Sequence, residues 1–176
     1  MKKIKLVATL LLIASVAMGV CACGVKEVDE KDFRDVVKDV LDCDKEDLYK
    51  SEGKETYADY IETYISYVGE DSDKFTVTYY EYEDEEAAKY MFDMDVAMAK
   101  FLKSHDCVTE GKVKTSGSYI TYDGKIISSY DEKAEYEYGG IYMAGPYIIT
   151  VETNSSKDKD IQKVDDILKE LGLPRP

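Results

Sequence analysis

The sequence predicts an α+β domain: an antiparallel sheet with helices packed on one face, in the order α-β-β-α-β-β-β-α. Three observations lead there. Three segments repeat apolar residues at helical spacing. The stretches between them are dense in Tyr, Thr, Val and Ile, residues that suit a pleated, half-buried surface. Short turn signals separate those stretches, so neighbouring strands join as hairpins, not through helical crossovers.

The first helix is expected at about residues 30–42. Phe33, Val36, Val37, Val40 and Leu41 recur at i, i+3, i+4, i+7 and i+8, which places them on one stripe. Asp29 is its N-cap candidate, and Asp32 suits the positive end of the helix dipole. Asp44 to Glu55 carries Gly53 and no periodicity, and reads as a polar connection. Residues 57–68 fit either state: Ala58, Ile61, Ile65 and Val68 could line a helix, while the Tyr, Thr and Ile density favours a strand near Thr63 to Val68. Gly69 to Asp73 then forms a hairpin loop. Phe75 to Tyr82 is a strand, with Phe75, Val77 and Tyr79 on one face and Thr76, Thr78, Tyr80 and Tyr82 on the other.

Asp84 is placed to cap the second helix, at about 84–103, whose stripe is Ala88, Met91, Phe92, Val96, Ala99 and Leu102. Asp123-Gly124 reads as a tight turn between Tyr119–Tyr122 and Lys125–Ser129. Gly139-Gly140 reads as a second turn, between Ala134–Tyr138 and Ile141–Thr153, with Pro146 at an edge or bulge. Ser155-x-x-Asp158 has the spacing of a capping box for the last helix. Ile161, Val164, Ile167, Leu168 and Leu171 form its stripe, and Gly172 with Pro174 ends it.

The first two dozen residues differ from this body. Lys2, Lys3 and Lys5 precede an apolar run, Leu6 to Val20, which is shorter than the roughly 18–20 residues a spanning helix needs. A basic start, an apolar stretch and a small residue before a cut site make an export signal. Val20-Cys21-Ala22-Cys23 resembles the lipobox of bacterial lipoproteins: aliphatic, free, small, then Cys. The register ending at Cys21 would put Val20 where a small residue is wanted. The resemblance implies cleavage by signal peptidase II between Ala22 and Cys23, lipidation of Cys23, and an extracytoplasmic location on the cell membrane. Residues 1–22 are then the signal, 23–29 the lipidated Cys and tether, and 30–173 one domain. Tyr80 to Phe92 and Ile167 to Gly172 also resemble segments of small lipoproteins of low-GC Gram-positive bacteria, a likeness that carries no activity with it.

Cleavage leaves 154 of the 176 residues, enough for one core. Losing Lys2, Lys3 and Lys5 from 23 basic residues, against 37 acidic ones, takes the net charge from −14 to −17. So acidic a surface argues against nucleic acid, whose phosphates need basic partners. It also opposes lying flat on anionic lipid, so the anchor tethers the domain instead of embedding it.

Candidate sites are few. His105, the one histidine, falls just past the second helix, where it suits the C-terminal dipole; neither a Gly-x-Ser-x-Gly motif nor a reactive Cys context accompanies it. No catalytic residue and no cofactor is indicated. Cys43 and Cys107 both follow predicted helix ends, and an exported protein can bridge them. With His105 they could instead hold a metal, though the spacing is not that of paired Cys-x-x-Cys ligands. Glu70, Asp71 and Asp73 offer a calcium-like acidic loop, but Lys74 and Phe75 break the EF-hand pattern. Sixteen tyrosines and no tryptophan fit strand propensity and packing at the core and rim, or, where several share an open face, a ligand surface. Tyr80 and Tyr82, with Thr76 and Thr78, would stand on the helix-free face as a platform for a glycan or peptide. These readings favour a non-enzymatic binding or scaffolding domain. The alternative is a cation-binding or buffering module built on acidic loops.

Overall fold

The computed structural model describes residues 25–53, 60–127 and 133–176. The predicted signal, Ala22, Cys23 and the close of the expected Lys125–Ser129 strand lie outside them. Three helices, α1 (Glu30–Leu41), α2 (Glu85–Ser104) and α3 (Asp158–Glu170), accompany a seven-stranded sheet. Its strands are β1 (Leu48–Glu52), β2 (Ile61–Tyr67), β3 (Phe75–Tyr82), β4 (Val108–Thr115), β5 (Tyr119–Ile126), β6 (Glu135–Ala144) and β7 (Tyr147–Thr153). Every neighbouring pair is antiparallel, in the spatial order β1-β2-β3-β7-β6-β5-β4. The class is the expected α+β, but the element order is α-β-β-β-α-β-β-β-β-α.

Local chemistry explains the helix starts. Asp29 Oδ1 accepts a hydrogen bond from the Asp32 backbone N–H at 2.8 Å, and Asp84 Oδ1 accepts from Ala87 N–H at 2.8 Å. Each cap satisfies an amide that the helix leaves unpaired. The Ser155 box does not form: the Ser155 hydroxyl donates to buried Asp160 at 2.6 Å, and α3 begins at Asp158 after an N-cap, Lys157, that makes no side-chain capping bond.

The helices do not share one face. α1 and α3 cover the face carrying Phe75, Val77, Tyr79, Ile149 and Val151, packing Phe33, Val37, Val164, Ile167 and Leu168 onto it. α2 covers the opposite face, where Ala88, Phe92, Ala99 and Leu102 meet Ile120, Tyr122, Ile126, Ile148 and Tyr82. The domain is therefore three layers. The folded domain also begins earlier than expected: Val28, assigned to the tether ahead of α1, is buried in the core shared by α1 and α3.

Asp123-Gly124 and Gly139-Gly140, both read as turns, lie inside strands. Gly124 pairs with Gly111 and Glu137 in the middle of β5, and Gly139 pairs with Tyr122 and Glu152 in β6. Gly139 has φ +133°, and a Cβ there would stand 2.0 Å from the Val151 carbonyl oxygen, so only glycine fits this ladder. The β6–β7 turn comes later, at Gly145 (φ +58°) and Pro146, whose carbonyl accepts from the Tyr82 N–H of β3 at 2.9 Å. Pro146 thus sits in a turn between two central strands, not at an edge. β1 and β4, both unanticipated, are the two edge strands.

Candidate functional site

α2 packs mainly over β3 to β7, which leaves the β1–β2 end of the same sheet face for other side chains. The pleat brings Tyr49 of β1, Tyr64 of β2, and Tyr80 and Tyr82 of β3 to that face. Their rings form one ladder: Tyr49 to Tyr64 at 6.2 Å, Tyr64 to Tyr80 at 4.9 Å, and Tyr80 to Tyr82 at 6.0 Å. Tyr60, just before β2, stacks on Tyr82 at 6.2 Å and extends the ladder to the start of α2. These separations lie in the range of favourable offset and tilted ring pairs. Tyr49 is 52% exposed and Tyr60 40%, so both ends of the ladder meet solvent. Tyr64 and Tyr80 are half-buried, and Tyr82 is in the core.

Beyond Tyr60 the surface dips into an open depression of about 470 Å³, lined by Tyr60, Glu83, Asp84, Glu86, Tyr90 and Met91. Two aromatic walls and a rim of carboxylates therefore flank one end of the ladder. The arrangement can stack flat groups along the rings and accept hydrogen bonds from hydroxyls, amides or cationic groups at the rim.

The expected platform is thus corrected in part. Thr76, Thr78, Tyr80 and Tyr82 do share a face, but α2 lies on it. Thr78 and Tyr82 are buried, Thr76 is exposed, and only Tyr80 joins the partly open ladder. Tyr49 and Tyr60 escaped attention because each lies in a stretch without clear alternation. Tyr67, Tyr79, Tyr119, Tyr138, Tyr142 and Tyr147 serve the α1–α3 face, while Tyr122 packs into the α2 core. Tyr142 donates to the Pro174 carbonyl at 2.7 Å and Tyr138 to Asp165 at 2.8 Å, tying α3 and the C-terminal segment to the sheet.

The remaining candidates do not converge. Cys43 and Cys107 are free thiols, Cys43 packed against the α1–α3 core and Cys107 against the α2 core. The sheet stands between those layers, so the expectation that both ended helices on one face fails. Burial pushes the Cys43 thiol up, away from reactive thiolate. His105 is the C-cap of α2; its Nδ1 lies 3.0 Å from the Phe101 carbonyl oxygen and its ring stacks on Phe101. In the acidic loop, Asp71 is engaged by the Lys74 ammonium, which holds its carboxyl below the usual range. Among the described residues no group of His, Cys, Asp or Glu is arranged to hold a metal ion.

One acidic group that sequence reasoning missed lies under α2. Glu152 of β7 faces α2 across Gly139, beside Tyr122, with Glu137 of β6 and Asp95 of α2 near enough to interact. Its Oε1 is shut off from solvent and finds no hydrogen-bond partner among the described residues. Burial first, then the charges of Glu137 and Asp95, push its carboxyl up to about 8. Burial raises Glu137 and Asp95 as well. Alternation on a strand marks Glu152 as facing a layer, but only knowledge that α2 covers this face makes it unusual.

No family model and no curated protein matches the chain. The crystal structure of the extracellular domain of PknH from Mycobacterium tuberculosis is similar at a TM-score of 0.41 and 9% identity, covering 85% of this chain and 99% of that one. Likeness at that level carries no argument. Among the described residues no helix is long and apolar enough to cross a membrane.

Proposed function

We propose that this is a lipid-anchored, extracytoplasmic, non-enzymatic domain that binds an extended glycan or peptide along the tyrosine ladder. The observation that carries the reading is the run Tyr49–Tyr64–Tyr80–Tyr82–Tyr60, solvent-open at both ends and continuing at Tyr60 into the acidic depression. Stacked rings offer a flat apolar track, and the carboxylates beside it supply hydrogen-bond acceptors, the pairing expected of a groove for sugars or peptide side chains. The anchor rests on Val20-Cys21-Ala22-Cys23. Val28 is already buried, so five residues from Cys23 span at most about 17 Å and keep the domain close to the lipid surface.

A glycan and peptide array probed with the native chain and with a Tyr49→Ser/Tyr60→Ser variant tests the reading. Each change removes one ring pair at an exposed end, so the variant should lose about 1–3 kcal/mol and stay folded while its array binding disappears. Undiminished binding by the variant would refute the ladder as the ligand track.

A further inference from the structure

α2 carries two apolar stripes, and the core uses only one. Ala88, Phe92, Ala99 and Leu102 are buried against the sheet. Tyr90, Met94, Ala97, Met98 and Phe101 recur at spacings of four, three, one and three, and turn away from it. Tyr90 is 68% exposed, Met94 52%, Met98 58% and Phe101 50%. Single exposed hydrophobes are ordinary, but four large ones along a single helix face form a contiguous patch of the kind that marks an interaction site. A surface helix with one partner needs one stripe.

We propose that this outer stripe is a self-association surface, in which α2 packs antiparallel against α2 of a second copy about a two-fold axis. Charge selects that occupant and that direction. The N-terminal end of α2 is acidic, with Glu83, Asp84, Glu85 and Glu86. Towards its C-terminal end stand Lys100 and Lys103, neither in an ion pair among the described residues. Between them Lys89 is already paired with Asp93 at 2.6 Å, and Asp95 is half-buried, away from the outer stripe. Two such helices laid antiparallel bring the acidic end of each to the basic end of the other, at both ends at once. A parallel pair would set acid on acid.

Shape agrees with charge. A register centred near Met94 places Tyr90 of one copy against Ala97 and Met98 of the other, and Phe101 against Ala87. Glu86 then comes within side-chain reach of Lys100 on both sides of the axis. Ala97 adds no bulk beside Met94 and Met98, so the helices can approach to the roughly 8–10 Å usual for packed pairs. Methionine side chains fill such a seam readily. An isologous two-fold contact of this sort closes on itself and stops at the dimer. It leaves Tyr49, Tyr64 and Tyr80 uncovered but takes up Tyr90 and Glu86 from the wall of the acidic depression, so Tyr49→Ser, outside the seam, separates failure of the ligand reading from failure of the dimer.

The test uses the full chain in isolated membranes and in mild detergent. Met94→Cys, near the axis, should give a reducible dimer on oxidation, whereas Glu46→Cys, exposed far from α2, should not. By sedimentation in detergent, Met98→Glu should abolish the dimer without altering the circular dichroism spectrum. Glu86→Lys and Lys100→Glu should each weaken dimerisation by about tenfold, and the double exchange should restore it. That rescue requires each Glu to meet a Lys of the other copy. A monomeric native chain, absence of the Met94→Cys crosslink, or failure of rescue overturns the proposal. So does binding of Met98 to lipid, read as loss of vesicle association by a chain lacking residues 1–23 when Met98→Glu is added.

Discussion

Replacing Glu152 with Gln should stabilise the domain at neutral pH and leave it unchanged in acid. The carboxyl is pushed up to about 8 in the folded chain, from 4.5 as its ordinary value. A raised folded value means that the native state favours the protonated form. The stability this group contributes is fully present below about pH 4.5 and is lost as pH rises through 8. At pH 7 the unfolded chain has released the proton while the folded chain still holds it. Each pH unit above 4.5 is worth about 1.4 kcal/mol, so the cost at pH 7 is about 3 kcal/mol. That figure is an upper bound, because relaxation of α2 would relieve part of it. Glutamine keeps the size and removes the charge, and Asp95 and Glu137 then lose a like-charged neighbour. Urea unfolding of both chains at pH 4.5, 6, 7 and 8 provides the measurement, with the difference between them cancelling the other carboxylates. The gap should be near zero at pH 4.5 and widen steadily towards pH 8. A gap independent of pH, or a Gln variant less stable at pH 8, would refute the account of a buried, unpaired acid.

Three further outcomes follow from the same structure. Cys23→Ser should abolish metabolic labelling by a palmitate analogue and leave uncleaved precursor; labelling that survives the change would show that the anchor lies elsewhere. Tyr82→Ser should cost about 3 kcal/mol in unfolding experiments, because its ring lies in the α2-side core, and a neutral result would return Tyr82 to the surface. Intact mass should be the same with and without reductant, with two thiols from Cys43 and Cys107 labelled after unfolding; a two-dalton difference would mean that they bridge.

Much of the fold was legible where local chemistry is strong. α1 and α2 start at the acidic caps read from Asp29 and Asp84, and β3 spans the Phe75–Tyr82 strand read from its alternation. The edge strands were not legible, for a physical reason. Leu-Tyr-Lys-Ser-Glu in β1 and Val-Thr-Glu-Gly-Lys-Val-Lys-Thr in β4 lie at sheet borders, where charged residues guard open hydrogen-bonding edges and blur the alternation. Gly124 and Gly139 misled because glycine serves both tight turns and close mid-strand ladders, and only the neighbouring strand decides between them. The side of the sheet that α2 would choose was also hidden. Its stripe shows that it must bury a face, not which one, and a tyrosine-rich strand has a ring to offer on either side. That ambiguity moved Tyr82 from platform to core and shifted the candidate track to Tyr49, Tyr60, Tyr64 and Tyr80.

The central claim is that the ladder is where a ligand binds. Its most direct test is aromatic-ring NMR of the tyrosines during titration with the best-binding member of the glycan and peptide array. The ring signals of Tyr49, Tyr60, Tyr64 and Tyr80 should shift together and saturate at one concentration, while Tyr138 and Tyr142, held on the opposite face, stay in place. Shifts confined to the opposite face, or none at all in the ladder while the ligand binds, would contradict it.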